Sequence, residues 1–109
     1  MRVAEKIQQR RLQILVNSYI YYKMGESRVS DATWDAWAKE LVQLQREYGD
    51  IAEQVRFAEA FKTWDASTGA FLPLDDAWVV RTAKYLMRKS VPSIVQKKKT
   101  GKQLSRRLF

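Results

Sequence analysis

The tightest constraint on this chain is a pair of apolar stripes with a helical period, each followed by glycine. From about Arg2 to Met24, the residues Val3, Ile7, Leu12, Leu15, Tyr19 and Tyr22 recur at steps of three to five residues, close to one helical face. Gly25 comes next, where a left-handed C-cap favours a residue without a Cβ. "ESRVS" leaves room only for a short connection, after which Ser30 or Asp31 can offer a side-chain oxygen to the orphan amides of a new first turn. Trp34, Trp37, Ala38, Leu41, Leu44 and Tyr48 then give an i, i+3, i+4, i+7 stripe, and Gly49 is expected to close it. Two helices joined so closely run antiparallel. The expectation is a helical hairpin over about residues 2–48.

The same period continues more weakly. Asp50 is expected to cap a third helix with Ile51, Val55, Ala58, Phe61 and Trp64 inward. "DASTGAFLPLDD" breaks the pattern at Gly69 and Pro73, and its short "GAFLPL" has no partner strand even if extended. Asp75 or Asp76 caps a fourth segment carrying Trp78, Val79, Thr82, Ala83 and Leu86, which Val91-Pro92 should end, because the residue before proline is pushed out of the α region. The predicted fold class is therefore all-α: a small bundle of about four helices in one domain, residues 1–92, followed by a basic arm, residues 93–109. The arm mixes its cations with Ile94, Val95, Leu104, Leu108 and Phe109. That composition suits a disordered tail or a short helix formed on a partner.

Charge divides the chain the same way. Of its 109 residues, 1–87 hold twelve Lys/Arg and twelve Asp/Glu. Residues 88–109 hold Arg88, Lys89, Lys97, Lys98, Lys99, Lys102, Arg106 and Arg107 with no acid, which accounts for the whole net charge of +8. A neutral body with a wholly basic tail points to a polyanionic partner for the tail. Counterion release would make such binding steeply salt-dependent, and contacts of this kind position without specifying sequence. The bland counterpart is a tail that adds solubility or meets an acidic protein. Trp64, Trp78 and Arg81 could stack on single strands, but fit a core and a helix surface better.

With no cysteine, neither a disulfide framework nor a thiolate metal site is expected, and with no histidine the commonest general base and metal ligand is missing. Lys98-Lys99-Thr100-Gly101 only superficially approaches an adenylation-type K-x-D-G, having threonine where the aspartate should stand. Gly101-Lys102 has no glycine five residues ahead of Gly101, so there is no Walker loop. The expectation is no enzyme. The charged "MRVAEKIQQRR" does not read as a signal peptide, no stretch approaches a membrane span, and the expected location is cytoplasmic.

One stretch carries a resemblance. "YIYYKMGESRVSDATWDAWAKELVQL" is similar to the N-terminal helical domain, domain Ia, of NAD-dependent DNA ligases. That domain has a pattern like Y-x-Y-H, a short loop, then D-A-x-Y-D-x-L-x-x-E-L-x-x-L. Tyr19, Ile20, Tyr21 and Tyr22, then Asp31, Ala32, Thr33, Trp34 and Asp35, and on through Glu40, Leu41 and Leu44, follow it without a gap, within about residues 7–48. The resemblance implies a clamp for the nicotinamide mononucleotide half of NAD. Tyr21 and Trp34 would be stacking rings, Asp31 and Asp35 polar ligands, and Tyr22 stands at the family's histidine. Losing that histidine removes a charge suited to a phosphate. The spacing is compatible on its own terms, since Asp31 and Asp35 share a helical face beside Trp34. A purely structural reading is equally available: Ser30 and Asp31 as caps, Asp35 complementing the helix dipole, and Tyr19, Tyr22, Trp34 and Trp37 as core.

The function expected is that of a non-catalytic, ligase-Ia-like binding module, encoded by a phage or mobile element, that associates with DNA or RNA through its arm and requires no cofactor or metal. Two alternatives stay open. One is an interaction protein that inhibits a host or defence nuclease in the anti-CRISPR manner. The other is a module binding NAD or nicotinamide mononucleotide at Tyr21, Tyr22, Asp31, Trp34 and Asp35.

Overall fold

The first helix, α1 (Val3–Met24), is the axis on which the rest is assembled. A computed structural model describes residues 2–96, with side chains through residue 88. After α1 come α2 (Asp31–Glu47), two single turns α3 (Gly49–Ala52) and α4 (Ala58–Phe61), and the long α5 (Ala77–Gln96). There is no strand among the described residues, so "GAFLPL" is loop and the all-α expectation holds. No helix among them is long and apolar enough to cross a membrane.

The hairpin forms for the local reasons its sequence offers. Gly25 sits at φ 68°, ψ 24°, and its N–H and that of Glu26 both reach the Ile20 carbonyl, which closes the helix end. Of the two cap candidates Ser30 does the capping: its Oγ accepts from the Thr33 N–H at 3.0 Å, which leaves Asp31 as the first helical residue. Asp76, not Asp75, caps α5, its carboxylate accepting from the Trp78 and Val79 amides at 2.9 and 3.1 Å.

Packing takes α1 beyond one apolar stripe. It lies between α2 on one flank and α5 on the other. A first core cluster joins Ile7, Ile14 and Leu15 to Ala38, Leu41, Phe61 and Leu72. A second joins Val16 and Ile20 to Ala83 and Leu86. A helix covered on two faces buries residues all round, so the six consecutive residues Gln13, Ile14, Leu15, Val16, Asn17 and Ser18 are all inside. Leu12 and Tyr19 are only half-buried and Tyr22 is exposed, although periodicity placed them on the inner stripe.

Three boundaries differ from expectation. Gly49 does not close α2: that helix ends at Glu47 with Tyr48 as C-cap, and Gly49 opens α3, so Asp50 is inside that turn and not its cap. The single third helix is two turns, separated by a bend at Phe57, whose φ of 69° no helix admits. Splitting it turns Ile51 outward while Val55 and Phe61 stay buried, which a continuous helical period could not do. The last helix continues past Val91-Pro92 to Gln96, so residues 93–96 belong to α5. Proline removes one backbone hydrogen bond, and pre-proline crowding is a bias that favourable neighbours on both sides can outweigh.

What ties these short pieces down is a buried arginine. Arg11, 2% exposed, donates from Nε to Gln45 at 2.8 Å and from its terminal nitrogens to the Val55, Arg56 and Ala52 carbonyls at 3.0, 3.1 and 3.0 Å. The guanidinium also lies 5.6 Å over the Phe61 ring. One side chain of α1 thereby clamps α2, α3 and the bend before α4. Desolvation by burial lowers its pKa to about 10, so it keeps its charge at neutral pH.

Candidate functional site

A cavity of about 480 Å³ opens where the hairpin turns, bordered by the C-terminal half of α1, the connection after it, the first turns of α2 and the loop at residues 67–68. Tyr21, Tyr22, Asp31, Trp34 and Asp35 all line it. Antiparallel helices joined by a short connection bring the end of one beside the start of the next, so residues ten or more apart in sequence meet there.

Each of the five has a defined setting. Tyr21 and Tyr22 are 58% and 44% exposed, with their rings edge-to-face at 4.9 Å. The Tyr22 hydroxyl is 2.9 Å from Thr68 Oγ1, which fastens α1 to the loop. Trp34 is half-buried and meets Trp64 edge-on at 6.1 Å, so one edge belongs to the core while the residue borders the cavity. Asp31 is exposed at the start of α2; Asp35 is exposed and paired with Lys39 at 3.0 Å. Tyr21 and Trp34 thus engage different aromatic partners, one at the rim and one inward.

The wall opposite the hairpin comes from a loop that periodicity read only as a break. Ala66 has φ 71°, a left-handed conformation that costs an alanine roughly 1–2 kcal/mol. Local bonds hold it: Trp64 Nε1 donates to the Thr68 carbonyl at 2.8 Å, Ser67 N–H to the Asp65 carboxylate at 3.0 Å, and Ala70 N–H to Thr68 Oγ1 at 3.1 Å. Bonding from the Ser67 hydroxyl, then from its amide, lowers the Asp65 pKa. Gly69 then passes so close to α1 that a Cβ there would overlap the Ser18 side chain.

Sequence reasoning missed three residues that shape this cavity. Arg28 stands in the connection, half-buried, and its desolvation lowers its pKa. Asn17 and Ser18, 4% and 1% exposed, are the only polar residues in the run "ILVNSYI", which was the available signal. Asn17 donates from Nδ2 to the Gln13 carbonyl at 2.8 Å, leaving its Oδ1 without a donor; Ser18 Oγ and Arg28 Nε also lack partners.

The remaining expected contacts are scattered. Arg88 is exposed on α5 and Lys89 lies further along the same helix, whereas Lys97, Lys98, Lys99, Lys102, Arg106 and Arg107 lie outside the described residues. Trp64 and Trp78 are half-buried and Arg81 is exposed; the Trp78 face is covered by the Arg56 guanidinium at 5.0 Å. Among the described residues no cluster of three or more acidic side chains is placed to hold a metal ion. Searches against family models, curated proteins and solved structures find no match to this chain, so the cavity is read from its own chemistry.

Proposed function

We propose that the protein is a non-catalytic binding module whose hairpin cavity takes a nicotinamide nucleotide. The observation that carries this reading is the convergence of two exposed tyrosines, a tryptophan edge, two carboxylates and an arginine on one cavity of about 480 Å³. That volume lies within the ~300–1,000 Å³ typical of small-molecule sites. Aromatic faces suit a flat pyridinium, carboxylates suit a positive ring or a ribose diol, and a guanidinium suits a phosphate. The resemblance to ligase domain Ia supports the same ligand class. A resemblance of sequence alone does not transmit function, so the reading stands on the cavity.

Nicotinamide mononucleotide at about five times its Kd is expected to add ~1 kcal/mol, raising Tm by about 4–8 °C. Asp35→Asn and Tyr21→Ala should each abolish that rise without changing the ligand-free Tm, because both residues are exposed. No rise with the unaltered protein at millimolar ligand would remove the proposal.

A second reading concerns residues 88–109, favoured by their eight cations and no acid. They would anchor the module to DNA or RNA. Fluorescence anisotropy with short labelled single- and double-stranded oligonucleotides is expected to give steeply salt-dependent binding, lost when the chain ends at Gln96. Unchanged affinity after truncation would refute it.

A further inference from the structure

Arg10, Arg11 and Arg28 are each at least partly withdrawn from water, and the protein supplies acceptors to the first two but not to Arg28 Nε. Arg11 finds four acceptors within 2.8–3.1 Å. Arg28 lines the cavity with its Nε buried and unpartnered, and among the described residues it enters no ion pair, these being Lys6–Glu40, Arg10–Glu40 and Lys39–Asp35. A partly buried cation without a counter-charge is unfavourable unless something else supplies one. Asn17 Oδ1 and Ser18 Oγ, on residues at least nine-tenths buried, are unpartnered along the same cavity. Unsatisfied polar atoms are rare in folded interiors, and three of them on residues that line one cavity favour a polar occupant beside them.

We infer that Arg28 holds a phosphate monoester of the cavity's ligand and thereby makes the site select nucleotides over the corresponding nucleosides. This rests on the nucleotide reading of the cavity given above. A guanidinium presents its N–H groups in a planar fork that matches two phosphate oxygens, a geometry a lysine cannot reproduce. The start of α2 borders the cavity through Asp31 and Ala32, so the positive end of that helix dipole adds to the field at Arg28. The two carboxylates do not cancel it. Asp35 is paired with Lys39 at 3.0 Å, and both acids are exposed on α2, where solvent screens them from Arg28. Charge is therefore divided along the cavity: the cation sits in the connection, and the acids lie along α2, where a positive ring or sugar hydroxyls belong.

Calorimetric titration of the full chain with nicotinamide mononucleotide and with nicotinamide riboside, for the unaltered protein, Arg28→Gln and Arg28→Lys, tests this. The unaltered protein is expected to prefer the nucleotide at least tenfold. Arg28→Gln should erase that preference while leaving riboside affinity within twofold, and Arg28→Lys should fall between. Should Arg28→Gln fail to fold, Arg28→Lys carries the comparison, with a reduction in preference of threefold or more expected. Equal binding of nucleotide and riboside by the unaltered protein, or a preference that survives the substitutions, overturns the role of Arg28 while leaving the nucleotide cavity standing. If neither compound binds, the nucleotide reading fails, and inorganic pyrophosphate decides the anion site. A Tm rise with pyrophosphate that Arg28→Gln removes retains Arg28 as an anion site, and no rise overturns that as well.

Discussion

Replacing Arg11 by methionine is expected to destabilise the fold by ~3 kcal/mol, a fall in Tm of about 12–24 °C in a domain of this size. Two effects oppose each other. Methionine avoids the cost of desolvating a charge that has no carboxylate partner. Against that, it leaves the Val55 and Arg56 carbonyls and the Gln45 side-chain oxygen without their donor, and the Ala52 carbonyl with only the Val55 N–H at 3.3 Å, where Ala52 and Val55 are only 6% and 8% exposed. Charged donors contribute about 1.5–3 kcal/mol each, and orphaned buried acceptors cost on the order of 1–3 kcal/mol, so the loss dominates. Arg11→Lys should recover less than half of it, because a single ammonium cannot reach four diverging acceptors. Thermal denaturation followed by circular dichroism measures both variants. A drop below about 4 °C for Arg11→Met would show that the clamp contributes little.

Gly69→Ala is expected to destabilise the fold by ~2 kcal/mol, about 8–16 °C in Tm. The added Cβ would collide with Ser18 Oγ and lie 2.9 Å from Ser18 Cβ and 3.4 Å from Trp34 Cζ2. The backbone at Gly69 does not have positive φ, so packing alone demands glycine there. In a Ser18→Ala background the penalty should shrink by at least ~0.5 kcal/mol, since residues in direct contact couple. An equal penalty in both backgrounds would place the strain elsewhere. Because Thr68 is bonded to Tyr22 and borders the cavity, the same substitution should weaken the nicotinamide mononucleotide binding proposed above.

The legible part of this protein is the part written in short-range chemistry. Gly25 as a left-handed C-cap and Ser30 and Asp76 as helix caps follow from side-chain and backbone groups within a few residues of one another. The resemblance singled out Tyr21, Tyr22, Asp31, Trp34 and Asp35, and their approach to one another follows from a short connection between antiparallel helices, which leaves little freedom in what its ends meet. Less legible was the interruption of the third helix. Its apolar residues keep a helical rhythm across Phe57, and nothing local announces a positive φ at a phenylalanine. Continuation of α5 through Pro92 was hidden for a similar reason: a local bias was read as a stop.

By itself the sequence determined an all-helical chain, the hairpin with its two-helix register, and the separation of a neutral body from a basic tail, because periodicity, caps and charge are properties of neighbours. Only the tertiary structure decided that α1 is buried on two faces, that Arg11 is the clamp on α2 and the short turns, and that a loop near Gly69 walls the cavity with Arg28 left unpaired inside it. Those outcomes depend on which surfaces meet across more than 30 residues, as Arg11 does with Gln45 and Ala52 and Tyr22 with Thr68. A polar residue in a helix looks the same in sequence whether it faces water, a core carbonyl or an empty pocket; burial alone separates the three.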